Sequence, residues 1–128
     1  FILNTHLDAG RSTSDRKVRV EQLNQILSKI EKVTNGEALI IAGDLNLRWK
    51  DPQDSLLLEA FKEDLGLIDS FEGVKSDENR PALDYILYRN GTDTILEVLE
   101  VGEDSDFQYN NKPLSDHPAL FIRLLISN

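Results

Sequence analysis

The stretch EALIIAGDLN, residues 37–46, runs from an apolar strand pattern into a glycine and then presents an aspartate and an asparagine. Ala38, Leu39, Ile40, Ile41 and Ala42 form a nearly continuous apolar run, the pattern of a strand covered on both faces. Gly43 lets the backbone turn where a side chain would obstruct. Asp44 and Asn46 are two residues apart, so extended geometry, if it persists, points both to the same side. A carboxylate beside a carboxamide can accept a proton and donate to a phosphate or water. Gly, Asp and Asn are also the commonest turn formers, so alone the stretch reads first as a strand ending in a turn.

Working outward, residues 1–7 read as a strand that places His6 at its end, followed by the loop 8–11. Ser12 and Ser14 offer N-caps, and Val20, Leu23, Leu27 and Ile30 recur at spacings of three and four, predicting a helix over residues 14–33 stopped by Asn35-Gly36. Arg11, Arg16, Lys17 and Arg19 make the helix start basic; such a run reads as a solvated face, although it could meet a phosphate. Downstream, Asp51-Pro52 is a cap followed by proline at the first helical position. Leu57, Leu58, Phe61 and Leu65 then mark a second helix, with Gly66 as its stop. Trp49 either stacks on a substrate ring or packs against that helix. Residues 67–71 read as a short strand or connection, and 72–80 as an exposed loop. Residues 83–89 have strand content, Asn90-Gly91 is a turn signal, and residues 95–101 pair with that strand or a neighbour. An acidic loop at 103–106 and a polar stretch at 109–113 lead to Ser115-Asp116-His117-Pro118, just before the apolar strand 119–126.

The chain has 128 residues, enough for one domain with a real core. It carries no cysteine, which excludes disulfides, thiol catalysis and Cys-ligated metal centres. With 14 Lys+Arg against 23 Asp+Glu its net charge is −9, which opposes nonspecific binding to polyanions but leaves a local site free to differ in sign. No apolar run approaches the ~20 residues needed to cross a bilayer, so a soluble chain without stable membrane insertion is expected. The opening Phe1-Ile2-Leu3-Asn4 reads as a strand already in progress and methionine is absent, so an upstream portion is expected.

His6 and Asp44 lie where strands end, while Asp84 and His117 lie where strands begin. If the first pair of strands runs antiparallel to the second, all four reach one edge. Both of the chain's histidines occupy such an edge beside Asn or Asp. A histidine with a carboxylate partner is the usual apparatus of general acid–base work, since imidazole titrates near pH 6.5 and the partner fixes its tautomer.

NTHL at residues 4–7, GDLN at 43–46, LDYIL at 83–87 and SDHPAL at 115–120 together resemble the endonuclease/exonuclease/phosphatase superfamily, in that family's order and across nearly the whole chain. The resemblance implies an α+β fold, the four-layer α/β/β/α sandwich of DNase I-like proteins, with residues 1–128 as the C-terminal part of a single domain whose N-terminal portion is missing. An asparagine and a glutamate that supply the core of the family's metal site have no match here, so the fragment alone would be an incomplete enzyme, and an upstream half could be a separate chain.

What the resemblance implies chemically is a metal-dependent hydrolase of phosphodiester bonds, acting on nucleic acid or a phospholipid headgroup such as that of sphingomyelin. Asp84 would hold the His117 imidazole, Asp44 and Asn46 would orient the nucleophile and bind phosphoryl oxygens, and His6 would donate to the phosphate or leaving group. Asp116 would support the metal. Asp44 and the His117–Asp84 pair both stand as the base. Oxygen ligands without thiols favour Mg²⁺, with Mn²⁺ or Ca²⁺ as alternatives. The competing expectation is a catalytically inactive binding or regulatory module of the same fold. The LDAG loop after His6 and the strand LDYILYR are similar to secreted bacterial members, while the sequence leaves the compartment open.

Overall fold

The computed structural model describes residues 1–72 and 80–128. Their elements are β1 (Ile2–His6), α1 (Thr13–Val33), β2 (Leu39–Asp44), α2 (Pro52–Leu65), β3 (Ile68–Asp69), β4 (Asp84–Arg89), β5 (Ile95–Glu103), β6 (Gln108–Tyr109), β7 (Lys112–Pro113) and β8 (Leu120–Ser127). The loop expected over residues 72–80 falls, from 73 to 79, outside the described residues.

The two helices begin and end where their sequences dictate. Ser12 and Asp15 close a reciprocal capping box at the start of α1, each side chain accepting from the other's backbone N–H. Asp51 caps α2 by accepting from the backbones of Gln53 and Asp54, Pro52 follows at the first turn, and Gly66 stops the helix in the left-handed conformation.

A four-stranded sheet has the order β1-β2-β4-β3, with β1 parallel to β2 and β4 antiparallel to both β2 and β3. The parallel pair needs a long crossover, and α1 supplies it. Leu39, Ile41, Tyr85 and Leu87 on one face pack under Leu23, Ile30, Leu58, Phe61 and Leu65 of the helices. On the opposite face Ile40, Ala42 and Ile86 meet Val98, Val101, Leu120 and Ile122 of the antiparallel β5–β8 pair. Residues 95–101 therefore pair with the C-terminal strand rather than with β4. Helices, four-stranded sheet and two-stranded sheet stack in that order, as in three successive layers of the expected sandwich.

The second sheet covers its neighbour only in part. Ile2, opposite Ile40 in the register, is 74% exposed, and Ile126 of β8 is 62% exposed.

The polar stretch 109–113 folds into a small hairpin between β6 and β7, because Asn110 and Asn111 both take positive φ, at 50° and 59°, the backbone of a tight two-residue turn. The basic start of α1 departs further from expectation. Arg19 is 1% exposed rather than solvated. Its guanidinium donates to the Asp8 and Gly10 carbonyls, 3.0 Å each, and lies 3.9 Å from Asp54. Arg16 donates to the same carboxylate at 2.9 Å. Asp54, itself buried, thus ties α1 to α2, and Arg19 ties α1 to the loop that follows His6.

Candidate active site

The strand registers assemble the first three site residues without any help from loops. His6 lies opposite Asp44 on β1 and β2, and Asp44 lies opposite Asp84 on β2 and β4, so the three form one row across the sheet. They share the face of Ala42 and Ile86, which are two residues back along their strands and turned toward the β5–β8 pair. Gly43 makes this row compact: at φ 138°, a Cβ there would stand 1.8 Å from the Thr5 carbonyl oxygen. Only glycine lets β1 close on β2 at this point.

His117 comes from the other sheet, on the turn that enters β8, and its backbone N–H donates to Ser115 Oγ at 3.1 Å. Its Nδ1 lies 2.8 Å from Asp84 Oδ2 and 3.8 Å from Asp44 Oδ2. His6 Nε2 stands 3.4 Å from the same Asp44 oxygen, although its side chain is 71% exposed. Of the two histidines, His117 is the one held. In the neutral form its Nδ1–H donates to Asp84, which leaves the Nε2 lone pair free for a substrate proton.

Two effects pull on this pair. The hydrogen bond that His117 donates to Asp84, followed by the Asp84 charge, holds the imidazole above the ordinary histidine range, with Asp44 and Asp116 adding to it. Burial pushes the Asp84 carboxyl up, and the neighbouring Asp44 charge pushes the same way, while His117 opposes both. Proton affinity is thus raised on both sides of the hydrogen bond.

Asp44, Asp84 and His117 each offer a ligand atom, all within 4.8 Å of one another. The two adjacent carboxylates are hard oxygen donors and the imidazole is a borderline one, and a divalent cation would relieve the repulsion between the carboxylates.

Asn46 and Asp116 stand apart from this group. Extended geometry does not persist beyond Asp44: Asn46 takes φ 50°, and its backbone N–H donates back to Asp44 Oδ1 at 2.8 Å. Its carboxamide donates to the Leu7 carbonyl at 2.9 Å, bracing the chain just after His6. The expected shared side of Asp44 and Asn46 is therefore corrected: the turn that Gly-Asp-Leu-Asn favours takes over, and Leu45 and Leu47 point into the core. Asp116 is exposed, one residue before His117.

Sequence reasoning missed the Arg16–Arg19–Asp54 network, which fixes the loops after β1 and β2. A signal was present. Arg19 precedes Leu23 by four residues, and Asp54 precedes Leu58 by four, which places both on the buried stripes of their helices. Trp49 packs at the edge of the core and its Nε1 donates to the Pro81 carbonyl at 3.1 Å, which favours the packing reading.

Comparison with known structures decides the fold. The catalytic domain of human Nocturnin superposes with a TM-score of 0.67 at 20% identity, covering 98% of this chain and 47% of that one. An endonuclease/exonuclease/phosphatase from Beutenbergia cavernae superposes with a TM-score of 0.69 at 19% identity, covering 98% and 36%. The chain has the endonuclease/exonuclease/phosphatase fold. In sequence it is 30% identical over 136 aligned positions, 94% of its own length, to a sphingomyelinase of Mycobacterium bovis. It spans about a quarter of the length of that relative, 26%. No family model matches. Within the endonuclease/exonuclease/phosphatase fold, the row of strand-end carboxylates and the histidine brought in by the second sheet are what remains to be given a chemistry.

Proposed function

We propose that this chain supplies the acid–base part of a metal-dependent phosphodiesterase that cleaves its substrate by in-line attack of water. The observation that carries the reading is the 2.8 Å contact between His117 Nδ1 and Asp84 Oδ2, within reach of Asp44. Phosphoester hydrolysis needs an oriented water and positive charge against the developing oxyanions. His117, held by Asp84, takes or gives a proton at Nε2. Asp44 orients the attacking water and is the competing base. His6, exposed at the rim, donates to a phosphoryl oxygen or to the leaving group. Asn46 keeps Asp44 in place through its backbone N–H, and Asp116 adds negative charge beside His117.

The donor set fits a hard cation, Mg²⁺ first and Mn²⁺ or Ca²⁺ next, held by the Asp44 and Asp84 carboxylates with Asp116 close by. Bound there, such an ion supplies electrostatic stabilisation of the phosphoryl oxygens. The substrate class is a phosphodiester, of nucleic acid or of a phospholipid headgroup. The sphingomyelinase and nuclease-fold relatives support that range.

The test is hydrolysis of a chromogenic phosphodiester, an oligonucleotide and sphingomyelin by the complete domain that contains this chain, with Mg²⁺ and then with chelator. Turnover is expected to require the metal, and His117→Ala is expected to lower kcat by about 10²–10⁴-fold, the usual span of general acid–base catalysis. Absence of metal-dependent turnover on all three substrates would leave the binding or regulatory module as the better account.

A further inference from the structure

The segments leading into and out of the site gather most of the chain's arginines. A cavity of about 530 Å³ is lined by Arg48, Trp49, Lys50, Asp51, Arg80 and Ala82. A second, of about 230 Å³, is lined by Arg11, Arg16, Arg19, Arg48, Asn46 and Leu83, among others. Five of the seven arginines line one or other cavity, in a chain whose net charge is −9. The walls come from the residues after β1, after β2 and before β4, which is the sheet edge that carries His6, Asp44 and Asp84. Arg48 borders both cavities.

Among the described residues lining the larger cavity, cations outnumber carboxylates. Asp51 is the one carboxylate among them, and that group already accepts from two backbone N–H groups of α2 and faces Arg16 at 3.4 Å. Arg80 pairs with the buried Asp69 at 2.6 Å, and its guanidinium still lies 4.8 Å from the centre of the Trp49 ring. Lys50 Nζ stands 4.7 Å from the same centre. Among the described residues the Arg48 side chain makes no hydrogen bond or ion pair. An aromatic ring that greets a quaternary ammonium must have a face free for it. Here the ring is engaged by two cations, which would repel a third.

We infer that the cavity bounded by Arg48, Trp49, Lys50 and Arg80 is an anion subsite for a phosphate adjoining the scissile one, selecting phosphate-rich substrates over zwitterionic phosphocholine esters. This rests on the phosphodiesterase reading for the word substrate, but its binding chemistry stands separately. Arginine matches phosphate through paired N–H groups, and the Trp49 ring holds the two flanking cations in place.

Trp49 is the chain's single tryptophan, so its fluorescence reports on the cavity directly. The protein is titrated without divalent metal against inorganic pyrophosphate, a 5′-phosphorylated dinucleotide and phosphocholine. Saturable change with the first two and none with phosphocholine at equal concentration is expected. Arg48→Ala and Lys50→Ala, whose side chains hold no hydrogen bond or ion pair among the described residues, should each weaken that binding roughly tenfold or more, the scale of a lost charge-assisted hydrogen bond. Arg123→Ala, an exposed side chain on β8 paired with Glu100 and outside both the site and the cavity, should bind as the parent does. Tighter binding of the dinucleotide than of pyrophosphate would support the subsite with a nucleic acid strand as its source, and equal binding would support it with a free polyphosphate. Phosphocholine binding as strong as pyrophosphate, or unchanged affinity in both Arg48→Ala and Lys50→Ala with folding verified by circular dichroism, would overturn it. Loss of turnover on chelation bears only on the hydrolase reading, so the two can fail independently.

Discussion

The two sides of the four-stranded sheet are built to different standards. On the helix side Leu39, Ile41 and Leu87 have no exposed surface, and even the charged Arg19 and Asp54 are sealed in and paired. On the other side Ile40 and Ala42 are only half-buried, Ile2 is open, and the row His6, Asp44, Asp84 replaces apolar packing at the strand ends. On the activity proposed above, this face would have to admit water and a phosphate, and it could not then also be close-packed. Stability is therefore concentrated on one side of the sheet and the proposed chemistry on the other.

The sharpest way to break this division is Asp54→Ala. Removing the shared partner strands the Arg19 guanidinium in the interior, and breaking a buried pair from one side costs about 3–5 kcal/mol. Urea denaturation should show a loss of that size; a loss within ~0.5 kcal/mol would mean that the network is not what ties α1 to α2. Ile41→Ala against Ile2→Ala comes next. The first should cost about 2–5 kcal/mol as a cavity in a closed core, the second less than about 0.5 kcal/mol at an open position. Equal losses in the same denaturation experiment would show that Ile2 is covered in solution.

The smallest effect tests the chemical side. In the metal-free protein, Asp84→Asn removes the charge that raises His117 and leaves only a neutral amide acceptor, so its NMR titration should move downward toward the ordinary histidine range. The sign follows from linkage. A histidine raised on folding stabilises the fold below its unfolded pKa, and that contribution is lost as pH rises through the folded value. Asp84→Asn should therefore narrow the pH window over which stability falls on the alkaline side of the histidine range. An unmoved titration would mean that Asp84 does not hold the imidazole.

Much of this was legible in the chain. Capping residues, apolar spacing and the glycine stops marked both long helices, because those signals act within a few residues of one another. The strand-end placement of His6, Asp44, Asp84 and His117 was legible as well, since four short motifs each announced where a strand met a loop. Asn46 was harder: the same Gly-Asp-Leu-Asn letters serve an extended strand and a turn, and only the buried positions of Leu45 and Leu47 on either side decide for the turn. Arg19 was misread because charge suggests solvent, and Asp54 was passed over, although helical spacing placed both on buried stripes.

By itself the sequence determined which residues start and stop each helix, which strands are apolar, and that histidines and carboxylates wait at strand ends. These are local choices, fixed by side-chain chemistry and backbone preference over one or two turns of chain. Tertiary structure alone decided the register that sets His6, Asp44 and Asp84 in one row, the approach of His117 from a second sheet, and the gathering of arginines around Trp49. Each of these depends on segments tens of residues apart meeting at a distance of a few ångströms, which no local preference specifies.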